Sequence, residues 1–199
     1  MGHIIARKGE LTRESILEGA YQLFLQQGYH GTSMRQIAEE AGIALGGIYN
    51  HFSGKEEIFT SVLEAYHPVH EIVPGIQASE GATIEEFVRN AAKSMMTALE
   101  RQPGFLNLIF IEIVEFNSQH LPDLVGVTFP KIMSIVSPFA ESQSKLKDFP
   151  LQSIVRSFIG LMFMQVLTEK LVGSQFVDMK PDEAFEQTLQ IFLHGILAG

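Results

Sequence analysis

The run SMRQIAEEAGIALGGIYNHF, residues 33–52, decides the fold. Ser33 with Gln36 is a capping box, in which a side-chain oxygen and a side-chain amide satisfy the first free N–H groups of a helix. Gly42 stands where that helix must stop, at a position that tolerates positive φ. Ala38 is small enough to let a second helix cross closely, and Ile37, Ile43, Ile48 and Phe52 turn apolar groups inward from both. The spacing predicts a helix from Ser33 to Gly42, a short turn, and a second helix over Leu45–Phe52. Two short helices joined steeply through a tight turn form a helix-turn-helix.

Working outward, the pattern stays helical and no segment keeps a strand-like alternation for long. Thr12 reads as an N-cap, with Glu14 in the first turn and Leu11 stapled to Ile16. Ile16, Ala20, Leu23 and Phe24 mark one apolar stripe. Gly28 reads as a left-handed stop of Schellman type, with Tyr29 folding back on Phe24. Ser53–Glu56 reads as a capping box for a fourth helix through Ile58, Val62 and Leu63. Pro68 and Pro74 are expected to kink or end whatever continues past Tyr66. A capping box at Thr83–Glu86 precedes a helix to about Arg101. Pro103 opens the next, to about Asn117, and Pro122 another that Pro130 and Pro138 disturb. Two final helices follow Pro150 and Pro181. The fold class is therefore all-α: an N-terminal three-helix helix-turn-helix domain, residues 1–55, and a larger helical-bundle regulatory and dimerisation domain, residues 56–199. The fourth helix is expected to join them as a rigid strut.

The chain has 199 residues, 46% hydrophobic and 19% charged, so it can bury a sizeable core and is not a disordered chain. Cysteine is absent, which removes disulfides, thiolate metal sites and cysteine nucleophiles. The N-terminal MGHIIARKGEL lacks a long apolar run and a cleavage signal. Unbroken apolar stretches such as Phe158–Met164 fall short of the roughly 20 residues that span a bilayer. A cytoplasmic protein without membrane contact is expected. Net charge is −9, and residues 1–66 hold five Lys/Arg against eight Asp/Glu. A basic surplus is the usual footprint of a nucleic-acid binder. Any affinity for DNA must come from local placement of a few cations and from helix N-termini.

Helix-turn-helix geometry projects the outer face of Leu45–His51 towards a DNA major groove. From Gly31 to Phe59, GTSMRQIAEEAGIALGGIYNHFSGKEEIF, the chain resembles the DNA-binding signature of the TetR (tetracycline-repressor) family. Ile48-Tyr49-Asn50-His51-Phe52 followed by Lys55 is the most specific part. The resemblance covers about Thr12–Tyr66. It implies a homodimer, a palindromic double-stranded operator and a ligand pocket in the C-terminal domain. Two positions depart from the family pattern: Ala44 stands at the recognition-helix cap, often Ser or Thr, and Leu45 stands where a polar residue is common. With Gly46 and Gly47 the third helix is intrinsically weak, each interior glycine costing about 0.5–1 kcal/mol relative to alanine.

The expected DNA-binding residues are Ser33, Arg35, Leu45, Gly46, Gly47, Tyr49, Asn50, His51 and Lys55. Arg35 can reach a guanine edge or a phosphate, or remain a solvated surface cation. Tyr49 can donate its hydroxyl to a phosphate or pack its ring on the first helix. Leu45 can touch a thymine methyl, and the glycines permit close approach. Lys55, a cation in the first turn of a helix where the dipole disfavours it, is easier to understand beside a phosphate. Arg7 and Lys8 are either a basic arm or a frayed tail.

His67, His70 and Glu71 are spaced too irregularly around Pro68 for a metal, and neither a metal nor a cofactor is expected. No phosphate loop, nucleophile elbow or metalloprotease motif is present, so an enzyme is not expected. Glu112 and Glu115 read as the polar edge of a very apolar helix, or as a partner for a cationic effector. Leu151–Val172 and the last helix are apolar on nearly every side and need burial on more than one. The resemblance implies a homodimer through these two helices, with Phe158 and Phe192 as the positions to test. Many Met and Phe suit an adaptable pocket for a small apolar effector, with Phe110, Met133, Met162 and Phe163 as candidates. The functional expectation is a ligand-responsive regulator, in the simplest form a repressor released by its effector. The rivals are a small-molecule binder with a vestigial DNA head and a non-transcriptional DNA-binding factor of the same fold.

Overall fold

A computed structural model describes residues 2–77, 83–141, 146–171, 173 and 180–197, and every element among them but one isolated bridge is helical. Ten α-helices follow in chain order: α1 Gly2–Gly31, α2 Met34–Glu40, α3 Leu45–Ile48, α4 Lys55–Ala65, α5 Val69–Gln77, α6 Ile84–Arg101, α7 Phe105–Glu115, α8 Leu121–Glu141, α9 Leu151–Leu171 and α10 Pro181–Ile196. The chain is all-α, with an N-terminal helix-turn-helix domain and a larger helical C-terminal part.

Two compact units follow packing rather than chain order: residues 1–67 with 102–125, and residues 68–101 with 126–199. In the first, α1 packs on α2, α4 and α7, and α4 packs on α7. Its core is Ile16, Ala20 and Phe24 from α1, Ile37 and Ala38 from α2, Ile48 and Phe52 from the α3 region, and Ile58, Phe59 and Val62 from α4. Each is at most 1% exposed, so the core is dry. Removing a residue such as Phe24 costs about 3–5 kcal/mol. Leu108 of α7 is also fully buried.

Helix α1 differs from expectation at its start. It runs from Gly2, so Thr12 lies inside the helix, and Leu11 is 57% exposed and staples nothing. Residues upstream of Thr12 include no proline, and a helix nucleated by burial of Ile16 and Ala20 propagates backwards without a stop. The side chains of Arg7 and Lys8 lie outside the described residues. Gly28 takes φ 74° and ψ 174°, so regular helix does break at this positive-φ glycine, with an extended ψ in place of the left-handed one, and a short helical stretch follows to Gly31. Tyr29 does fold back on Phe24, with ring centroids 5.7 Å apart.

In the second unit α5 packs on α6, and α6, α9 and α10 pack on one another. Pro74 lies inside α5, and Pro130 and Pro138 inside α8. Pro68 does fall in the break between α4 and α5, whereas α5 continues through Pro74 and α8 through Pro130 and Pro138, where a proline removes a backbone hydrogen bond. Thr83 and Glu86 form the expected reciprocal cap of α6, at 3.2 Å in both directions. Arg89 of α6 pairs with Glu186 of α10, and Thr188 donates to Gln165 across α9 and α10 at 3.2 Å. Lys147 caps the end of α10, donating to the carbonyls of His194 and Gly195 at 3.1 Å. A cation is favoured there by the helix dipole.

Candidate nucleic-acid interface

Helix α2 is held at both ends by its own sequence. The Ser33 amide donates to Gln36 Oε1 at 2.9 Å, and the Gln36 amide donates to Ser33 Oγ at 3.3 Å. At the other end Gly42 takes φ 69°. Its N–H donates to Glu39 O at 3.1 Å, and the Ile43 N–H donates to Ala38 O at 2.9 Å. That pair of bonds is a Schellman motif, and a left-handed residue without Cβ is what it requires. Ile37 and Ala38, fully buried, then fix the helix against α1 and α3.

Helix α3 is much shorter than the expected Leu45–Phe52. Ala44 provides no side-chain cap, and regular helix ends at Ile48. The chain continues as turns, with Asn50 N donating to Gly47 O at 3.2 Å and Phe52 N to Ile48 O at 3.0 Å. Two glycines and no cap explain the shortening. Burial of Ile48 and Phe52 anchors what remains, and the Arg13 guanidinium lies 4.8 Å over the Phe52 ring while donating to Ser61 Oγ at 3.0 Å. Arg13 is a brace that sequence reasoning passed over, because a lone cation in α1 has no motif.

The outer face is left bare. Leu45 is 43% exposed and Tyr49 55%. Asn50 is exposed, His51 half-buried, and no atom lies within 4 Å of where a Gly46 Cβ would stand. Gly47 has only Ile43 Cδ1 at that distance, 4.0 Å. Ser33 and Arg35 are exposed at the start of α2, and Arg35 Nε donates to Glu39 at 2.9 Å. This exposed i,i+4 pair is weak and leaves the guanidinium free to exchange partners.

Lys55 is placed differently from the other eight candidates. Its ammonium donates to Tyr29 O and Thr32 O, both at 2.6 Å, and lies 4.1 Å over the Tyr29 ring. It ties α4 to the chain leaving α1, which is reason enough for a cation in the first turn. Burial pulls its pKa below the ordinary lysine value, against the nearby charge of Glu115. The α4 cap also shifts by one residue: Glu57, not Glu56, accepts from the Ser53 amide and hydroxyl, both at 2.7 Å. Those two bonds hold the Glu57 carboxyl below the usual range. Glu56 is left to face elsewhere.

The candidate ligand residues fall in both units. Phe110 is on α7 of the first unit and 43% exposed, whereas Met162 on α9 of the second is fully buried, with Met133 and Phe163 half-buried on α8 and α9. A cleft of about 560 Å³ opens between α5 and α6, lined by His70, Glu71, Lys93, Ser94 and Arg101 among others. Pro74, Gly75 and Ala98 add apolar wall to it, and none of the four candidates lines it. No cluster of three or more metal-ligating side chains occurs among the described residues. Phe158 and Phe192 pair with each other at 5.5 Å, and Phe192 is 9% exposed, so they fill the seam between α9 and α10.

Residues 16–62 match the model of the bacterial regulatory proteins, tetR family. The N-terminal domain of the chain is therefore of tetR type. The transcriptional regulator SrpR of Pseudomonas putida is 35% identical over 88 residues, covering 42% of this chain and 41% of SrpR. The transcriptional activator FasR of Mycolicibacterium smegmatis is 30% identical over 100 residues, covering 49% of this chain and 45% of FasR. The match thus spans less than half the length of either relative. The fold extends further: the structure of the fatty acid degradation regulator FadR from Bacillus halodurans superposes with a TM-score of 0.71 over 91% of this chain and 94% of that one, at 17% identity. All three are named as regulators or activators, and none as an enzyme.

Proposed function

We propose that this chain is a tetR-family transcriptional regulator that binds a palindromic DNA operator as a homodimer, with α3 in the major groove, and is released by a small apolar effector. The observation that carries this reading is the bare outer face of α3. Leu45, Gly46, Tyr49 and Asn50 stand free on a motif whose inner face is fully buried. A surface ending in a capped α2 N-terminus, with Ser33 and Arg35 exposed beside it, suits phosphate and base contact. It supplies locally what the net charge of −9 does not supply globally.

Helices α9 and α10 support the dimer. Met164, Leu171 and Ile191 are 53%, 73% and 73% exposed, an apolar surface that a second copy would cover. Helix α9, Leu151–Leu171, is by length and composition apolar enough to cross a membrane, which a count of unbroken apolar runs misses. Its packing on α6 and α10 and its Gln165–Thr188 hydrogen bond favour a protein partner over lipid, in a cytoplasmic protein. The effector site is proposed around Met133, Met162 and Phe163 of the second unit. Among the relatives FadR is named for fatty acid degradation, which fits an apolar effector class. Release by effector makes repression the simpler output, although FasR is named an activator.

The test is selection of DNA from a random pool by the full chain, followed by footprinting. A palindrome is expected, and Arg35→Ala and Tyr49→Ala are expected to weaken its binding, each lost base contact by about 1–3 kcal/mol. Urea midpoints should stay unchanged, since both side chains are exposed. A chain that enriches no sequence would leave the vestigial-head reading in its place.

A further inference from the structure

Helix α7 is apolar along most of Phe105–Phe116, yet Glu112 within it is completely buried. Its carboxylate accepts from the His120 amide at 2.7 Å and faces His120 Nδ1 at 2.9 Å. The other ring nitrogen, Nε2, lies 3.2 Å from Glu56 Oε1 in the first turn of α4. Gln119 also donates to Glu56 Oε1, at 3.4 Å. The turn that delivers these two residues puts Asn117 and Ser118 at φ 52° and 64°, conformations that residues other than glycine seldom adopt. Phe116 closes the site with its ring 4.9 Å from the imidazole.

A neutral imidazole has one N–H, and here both ring nitrogens face carboxylate oxygens. With one proton, a lone pair would point at a carboxylate on one side. With two, both sides are satisfied and a cation sits between two anions. The other charged groups nearby are engaged: Glu115 of α7 faces His30 of α1 at 2.6 Å, and Lys55 of α4 is held by the carbonyls of Tyr29 and Thr32.

We propose that His120 is a proton-operated clasp, which as imidazolium bridges the buried Glu112 of α7 to Glu56 of α4 and on losing its proton releases the start of α4. Burial of the ring opposes the charged form, and the hydrogen bonds and charges of Glu112 and Glu56 outweigh it, so the pKa lies above the ordinary 6.5. A raised folded-state value fixes the sign of the linkage. The clasp's contribution is fully present below the unfolded value and is lost as pH rises through the folded one. None of this requires that the chain bind DNA.

The test is a pH titration of the full 15N-labelled chain, reading the histidine ring nitrogens and assigning His120 by its absence in His120→Gln. Expected are a midpoint above 6.5, two ring protons below that midpoint, and a lower midpoint in Glu56→Gln. Urea midpoints of the unaltered chain should fall as pH rises through the His120 midpoint, and those of Glu56→Gln should fall less. Glu56 is exposed, so this variant folds even where His120→Gln does not. A ring that keeps a single proton throughout the titration would overturn the proposal. So would a midpoint at or below 6.5, or one that Glu56→Gln leaves in place.

Discussion

Helices α2 and α3 are the two halves of one motif and depend on opposite sources of stability. Helix α2 is closed by a capping box at Ser33 and by a Schellman turn at Gly42, so its ends are set by residues within the helix and its turns. Helix α3 starts at an uncapped Ala44, contains Gly46 and Gly47, and loses regular helix after Ile48. What keeps it in place is burial of Ile48 and Phe52 against the first unit, with Arg13 stacked on the Phe52 ring. The element proposed to read DNA is therefore the one with least local support. Stiffness in this head resides in its frame, and adaptability in the bare face of α3.

The largest effect should come from taking away the anchor. Phe52→Ala is expected to cost about 3–5 kcal/mol, the range for a large aromatic removed from a close-packed core. Equilibrium urea unfolding would show it, and hydrogen exchange at Leu45–Phe52 should rise more than at α2. Equal acceleration in both helices would mean that the motif opens as one unit and that the contrast is only geometric. A smaller effect tests the other half. Ser33→Ala removes the α2 cap and should cost about 1 kcal/mol. Its exchange signature should stay in the first turn of α2, since Ile37 and Ala38 still hold the rest.

The same contrast explains what could be read beforehand. Features carried by residues a few positions apart were legible: the Ser33 box, the Gly42 stop, the Thr83 box, and the apolar stripes of α1 and α4. Features that depend on residues far apart in the chain were not. Glu112 reads as a polar helix edge because its partner His120, which also reaches Glu56 of α4, meets it only after the α7–α8 turn folds back. The carbonyl partners of Lys55 were equally hidden, since Tyr29 lies at the end of α1 and Thr32 just beyond it. The start of α1 was misplaced for a different reason: Thr12 is a good cap, but a cap residue does not stop a helix that nothing upstream breaks. The outward set on α3 follows from the inward set, since Ile48 and Phe52 inside leave Leu45, Gly46, Tyr49 and Asn50 outside.

The smallest change separates two reasons for a glycine in α3. Gly46 has open space around its Cβ position and no positive φ, so alanine fits there without strain. By helix propensity alone Gly46→Ala should stabilise the chain by about 0.5–1 kcal/mol, partly by restricting the unfolded state. The added methyl would also stand on the bare face beside Leu45 and Tyr49. On the proposed docking that face meets the duplex, and a close backbone approach is the use to which a glycine there is suited. Gly46→Ala should therefore raise the urea midpoint and lower affinity for the selected DNA, moving two measurements on one protein in opposite directions. If both rise, the methyl meets no duplex, and α3 gains because less ordering is left to be done on binding. In that case glycine serves softness and the docked face must be turned away from residue 46.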